Sequence, residues 1–224
     1  MQELAIKYVN NSHIKRKITT MTKQNRNYHH GNLPESLLNA VDELATKFGI
    51  EAVTLRACAK IVGVSPSSAF RHYSDKRALL TAFASRALHQ LSDSLQVAKN
   101  AAQKDGGDEY LAVGLAYVQF AIDKPAFFRA MWRKETIYIA DENYIEAADR
   151  LRGHMQAGFA GTLQDDDPLS LNVTEVLAWS SVHGLAALFI EGALNDTKSR
   201  KQKLILAEQM IESMILERRK NNIA

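Results

Sequence analysis

The sequence predicts an all-α fold with two parts, a small N-terminal helix-turn-helix domain and a larger helical domain behind it. Three observations carry this. From Pro34 to the end of the chain apolar residues recur three and four positions apart, and Pro, Gly and Asp breakers cut the pattern into helix-length segments. No strand-like alternation flanked by hairpin turns interrupts it. Two of the earliest segments, between Thr54 and Tyr73, are short and joined by a glycine.

The first helix is expected over about 34 to 48: Leu37, Leu38, Val41, Leu44, Ala45 and Phe48 share one face, Pro34 suits the first turn, and Gly49 suits the stop. Thr54 can cap the second, whose apolar positions Leu55, Ala59 and Val62 precede Gly63, the residue best able to take positive φ. Ser65 offers another cap and Pro66 fits the first helical position, so a third, short helix is expected to about Tyr73. Asp75 opens a long helix to about 103, stopped at Asp105-Gly106-Gly107. Beyond it, helices are expected at about 108 to 122, 125 to 138, 141 to 163, 169 to 194 and 198 to 219.

The expected organisation is therefore a flexible basic arm over 1–27, a helix-turn-helix domain over 28–80 and a second helical domain over 81–224. Met21 is a second candidate for the start of translation. Residues 1–90 hold 13 Lys and Arg against 6 Asp and Glu, although the whole chain carries a net charge of only +3. A basic first segment beside a mildly acidic remainder suits a division between nucleic-acid work and other work.

Cys58 is the single cysteine, which excludes an intrachain disulfide and a cysteine-cluster zinc site. A reducing, cytoplasmic setting is expected, with no signal-peptide core near the N-terminus and no charge-free apolar run of membrane-spanning length. No cofactor or metal is expected. His29 and His30 are adjacent on irregular chain, where two side chains rarely converge on one ion, and no His-Glu-x-x-His spacing occurs.

In a helix-turn-helix the second helix enters the major groove, so its front must be small and polar to let backbone approach bases. Ser65, Ser67, Ser68 and Ala69 supply that front, and Arg71, His72 and Lys76 place cationic groups next to it for guanine edges or phosphates. Double-stranded DNA is the expected partner.

Around this motif the residues resemble the TetR family of regulators. The resemblance is carried by Leu37 to Phe48, Gly49-Ile50-Glu51-Ala52-Val53-Thr54-Leu55-Arg56, Ala59-Lys60-Ile61-Val62-Gly63-Val64-Ser65, and Phe70-Arg71-His72-Tyr73-Ser74-Asp75-Lys76-Arg77-Ala78-Leu79-Leu80. Asn27-Tyr28-His29-His30-Gly31-Asn32-Leu33, together with Trp179-Ser180-Ser181-Val182-His183-Gly184, resembles a subgroup with a Trp, His, Gly pattern in its C-terminal domain. The resemblance implies that Arg56 and Arg71 read bases, that Ser68 contacts the groove, and that Thr54, His72 and Lys76 hold phosphates. Phe70 departs from it, standing where the family usually has a tyrosine bonded to phosphate. Tyr73 stands where the family more often has phenylalanine, and its hydroxyl is either a phosphate contact or part of the core.

The resemblance also implies a C-terminal domain that binds a small-molecule effector and pairs with a second copy. Tyr117, Phe120, Phe128, Met131, Trp132, Met155, Phe159, Trp179 and His183 are the candidate ligand-binding residues, all of types that a helical core also needs. His183 follows Trp179 by one helical turn, placed either to orient a ligand or to bond a backbone carbonyl. Ser180, Ser181, Gly184, Ala186, Ala187, Gly192 and Ala193 give the penultimate helix low-profile faces, and Leu204, Ala207, Met210, Ile211, Met214 and Ile215 give the last an apolar stripe. Two such helices from each of two chains would make a four-helix homodimer interface reading a palindromic operator; packing within one chain is the alternative.

The function expected is thus a ligand-responsive, sequence-specific transcriptional regulator. Repression is the expected mode, because occluding a promoter needs only tight binding. Activation through contact with polymerase is the alternative. A helical enzyme with an apolar pocket is a third reading, but no nucleophile with a base, paired carboxylates or metal ligands stand at a telling spacing.

Overall fold

The computed structural model describes residues 32–157, 173–194 and 198–221, with backbone alone at 155–157, 173–175 and 217–221. The basic arm, the His29-His30 pair, the acidic run at 165–167, Phe159 and the Met155 side chain lie outside the described residues. Among those described there are nine α-helices, two 3-10 turns and no strand.

Local chemistry sets the first helices. α1 (Leu33–Phe48) starts at Asn32 with Pro34 in its first turn, and the Gly49 N–H closes its end on the Ala45 carbonyl. After a 3-10 turn at Ile50–Ala52, Thr54 caps α2 (Leu55–Val62) by accepting the Ala57 N–H at 3.0 Å. Gly63 then takes φ 81°, ψ 27°, the left-handed conformation that lets the chain reverse within one residue. Ser65 caps α3 (Pro66–Phe70), which is shorter than the periodicity predicts: the backbone leaves the helix after Phe70, three residues before Tyr73. α4 (Lys76–Asp105) is a single helix of 30 residues whose first turn is capped by Asp75, Oδ1 accepting the Ala78 N–H at 2.8 Å.

The remaining helices are α5 (Glu109–Asp123), α6 (Pro125–Trp132), α7 (Glu142–Ala157), α8 (Val173–Ile190) and α9 (Arg200–Asn221). The helix expected over 125 to 138 ends at Trp132, and a 3-10 turn at Lys134–Thr136 follows. Tertiary contacts override the period there. Ile137 is fully buried with extended backbone, its carbonyl accepts Arg77 Nε at 2.8 Å, and the Tyr138 N–H donates to Thr81 Oγ1 at 2.8 Å. The helix expected to run to 194 stops at Ile190, before Gly192 at φ 75°.

The chain divides into two compact units. The first comprises the described residues up to Ser85 together with Arg129–Tyr144. Its core is built from Leu37, Val41 and Leu44 of α1, Cys58 and Ala59 of α2, Ala69 of α3, and Leu79 and Phe83 of α4, with Met131 and Ile137 from the later segment. Cys58 is sealed in, and burial pushes its thiol up to about 12, so it is an inert packing residue.

The second unit comprises Arg86–Phe128 and the described residues from Ile145 onward. Within it α5 packs against both α8 and α9, and these two also touch. Gly114 of α5 is buried where α9 comes closest: a Cβ there would lie 3.0 Å from Ile211 Cδ1.

Candidate nucleic-acid interface

Within the first unit, α1 packs on α2 and α2 on α3, so the glycine turn presents α3 on a fixed base. Ala69 is the buried contact of α3, and its other face is open. On that face Ser65 Oγ lies 2.8 Å from both Ser67 Oγ and Ser68 Oγ, and accepts the Ser68 N–H at 3.2 Å. Arg71 Nη2 donates to Ser68 Oγ at 3.3 Å. One cap hydroxyl gathers the serines, and through Ser68 the guanidinium, into a single polar network.

Thr54, Arg56, Ser65, Ser67, Arg71 and His72 are exposed, and Ser68 and Tyr73 are half-buried. Phe70, the departure from the family pattern, is 45% exposed, a large apolar ring presented to solvent at the end of α3. Lys76 is placed differently from a free surface cation. Its Nζ donates to the Ile50 carbonyl at 3.2 Å and the Glu51 carbonyl at 3.3 Å, which uses two of its three protons and ties the start of α4 to the 3-10 turn before α2.

Sequence reasoning missed a set of residues at the two ends of the α2–α3 pair. Asp75 Oδ2, the oxygen not used in capping, accepts the Tyr138 hydroxyl at 2.7 Å, and this bond, with the Ala78 N–H, holds the Asp75 carboxyl below the usual range. The same bond raises the Tyr138 phenol. Arg77 lies over the Tyr138 ring at 4.7 Å, and Arg133 pairs with Glu51 at 3.1 Å. Asp75 carried a signal as a helix opener; Tyr138 carried none, being 63 residues away and within an expected helix.

The candidate ligand-binding residues are distributed over both units. Met131, fully buried, and Trp132, half-buried, belong to the first. In the second, Tyr117, Phe128, Trp179 and His183 form one cluster. The Tyr117 hydroxyl lies 2.8 Å from His183 Nδ1. Phe128 stacks on the imidazole at 5.2 Å and meets Tyr117 edge-on at 5.9 Å, while Trp179 meets His183 at 6.1 Å. Burial lowers the His183 imidazole and raises the Tyr117 phenol, so both are neutral near pH 7. His183 Nδ1 thus faces a side-chain hydroxyl. Phe120 stacks instead on Phe127 at 6.5 Å, beneath Lys124.

In the last two helices, Ala207 and Ile211 are fully buried within their own unit, so part of the expected pairing stripe is spent on the chain itself. Among the described residues of these helices, the large apolar side chains left exposed are Val176, Leu177 and Leu188 on α8 and Ile205 and Leu216 on α9.

Known proteins share this arrangement. Residues 37–83 match the family model for bacterial regulatory proteins of the tetR family, and residues 110–214 match that for the tetracyclin repressor-like C-terminal domain. The HTH-type transcriptional regulator YobS of Bacillus subtilis (strain 168), itself uncharacterised, is 25% identical over 189 residues, covering 83% of this chain and 93% of that one. A protein of unknown function from Rhodococcus sp. RHA1 has a similar structure, with a TM-score of 0.63 and 25% identity over 83% of this chain and 96% of its own. A bacterial regulatory protein of the tetR family from Rhodococcus RHA1 superposes with a TM-score of 0.59 over 82% of this chain and 95% of its own; at 21% identity it shows the fold alone. With a capped helix pair joined at a left-handed glycine, an all-helical domain behind it, and both halves matched in order, this chain belongs to the TetR family of DNA-binding transcriptional regulators.

Proposed function

We propose that the protein is a homodimeric repressor that leaves a palindromic operator when a small-molecule effector binds. The observation that carries the DNA side of this reading is the polar network on α3, where Ser65, Ser67, Ser68 and Arg71 share hydrogen bonds on an otherwise open face. Small hydroxyls allow close approach to base edges, and Arg71 and the exposed Arg56 supply the forked donors that suit guanine O6 and N7. Thr54, His72 and the remaining Lys76 proton are the phosphate contacts, with Tyr73 in support. The exposed Phe70 ring replaces a lost phosphate bond with an apolar contact suited to a thymine methyl.

Pairing through α8 and α9 is supported by five large apolar side chains exposed on their described residues, which a lone chain leaves in water. The effector belongs to the second unit, against Tyr117, Phe128, Trp179 and His183. A neutral, aromatic-walled cluster with one imidazole favours an apolar or aromatic compound bearing a hydrogen-bonding group. The role is non-enzymatic and cytoplasmic; among the described residues no single helix is long and apolar enough to cross a membrane.

Selection of bound duplexes from a random DNA pool at near-physiological salt tests this reading. A two-fold symmetric motif supports it. Enrichment without a motif, at an affinity that collapses as salt rises, reduces the α2–α3 face to a nonspecific basic surface and overturns it.

A further inference from the structure

The α2–α3 pair is entered through the Ile50–Ala52 turn and left through Asp75. Both ends are held by the same distant stretch of chain, residues 133–138. At the entry, Arg133 pairs with Glu51 at 3.1 Å, 82 residues away in sequence. At the exit, the Tyr138 hydroxyl takes the free oxygen of the Asp75 cap at 2.7 Å. Lys76 closes the circuit by bonding the Ile50 and Glu51 carbonyls, so entry and exit are also tied to each other.

An open cleft of about 260 Å³ lies among Ile50, Leu80 and Thr136 beneath this stretch. Only Ile137 seats fully in the core there, so the polar bonds, rather than close packing, define where the segment sits. Exposed single pairs contribute little stability. Their geometric effect is larger, because an Asp side chain bonded through both oxygens is held against rotation, and the first turn of α4 follows its cap.

We propose that Tyr138 and Arg133 are positioning residues for DNA recognition, clamping the exit and the entry of the helix-turn-helix so that α3 is held in one orientation. The inference rests on DNA reading by the α2–α3 face and assigns to residues 133–138 a part in it that involves no contact with DNA.

The test uses the full-length protein and duplexes selected by the wild type, with Tyr138→Phe and Arg133→Gln measured by fluorescence anisotropy across a salt series. Each variant is expected to lose about two- to tenfold in affinity for the selected sequence, the worth of one net hydrogen bond, with random-duplex affinity and salt slope unchanged. Thermal midpoints should fall by about 4 °C or less. Unchanged specific affinity in a folded variant overturns the proposal. So does a salt slope reduced by about one, which would make the residue a direct phosphate contact. Asp75→Ser provides an independent check, keeping one oxygen to cap the Ala78 N–H and removing the one that accepts Tyr138. If Tyr138 acts through Asp75, Tyr138→Phe adds nothing in the Asp75→Ser background, and additive losses contradict the clamp. A wild type that selects no motif overturns both this proposal and the DNA-reading assignment; a wild type with a motif and indifferent variants overturns this proposal alone.

Discussion

Tyr117 and His183, 66 residues apart in sequence, share a 2.8 Å hydrogen bond in the interior of the second unit. Tyr117 is 2% exposed. Removing the hydroxyl leaves His183 Nδ1 facing a phenyl edge without its partner. Tyr117→Phe is therefore expected to lower stability by about 1 to 3 kcal/mol, read from the midpoint of urea denaturation. An unchanged midpoint would mean that the bond is replaced at no cost.

The same pair sets a pH dependence. Burial holds His183 below its ordinary value of 6.5, so the unfolded chain binds this proton more readily than the folded one. Stability from this group is complete above 6.5 and falls as pH drops below it, levelling off once the folded ring is also protonated. His154 is lowered too, first by burial and then by Arg150 and Lys99, and contributes with the same sign. Denaturation midpoints measured from about pH 7.5 to 5.5 should decline, and His183→Gln should flatten that decline without abolishing it.

Gly63 turns the chain between α2 and α3 at φ 81°, and a Cβ built on it meets nothing within 4 Å. The cost of Gly63→Ala is thus purely conformational, about 1 to 2 kcal/mol. Gly63→Asn should cost less, since Asn visits the left-handed region more readily. Thermal melts of the two variants should rank Asn above Ala; the reverse order would count against a conformational origin.

Leu177, at 61% exposed, projects from α8 into solvent in the single chain. With the proposed pairing through α8 and α9, Leu177→Glu should leave the helical content intact and yield a monomer where the wild type is a dimer, as read by sedimentation equilibrium at micromolar protein. Retained dimerisation would move the interface away from α8.

What could be read from the sequence was what neighbouring residues decide. Thr54, Ser65, Gly63 and Pro66 act within four positions of themselves, so the caps, the turn and the order of the helices followed from residue type. Distant contacts were silent. The break after Trp132 depends on Arg77 and Thr81 bonding the backbone at Ile137 and Tyr138, some sixty residues on, and no local signal marks it. For the same reason the inclusion of Arg129–Tyr144 in the DNA-binding unit was invisible. The serines and Arg71 were legible as a polar front, whereas Lys76 read only as a cation for DNA, because its two carbonyl acceptors lie 25 and 26 residues back. Among the ligand candidates, residue type alone did not separate Phe128, on His183, from Phe120, on Phe127.

If the open edge of α3 reads bases through Arg71, duplex selection repeated with Arg71→Ala beside the wild type will show it. One position in each half-site should lose its preference while the others keep theirs, with affinity for the wild-type sequence lower by about 1 to 3 kcal/mol. A motif identical to the wild type's, or a uniform weakening across all sequences, would contradict it.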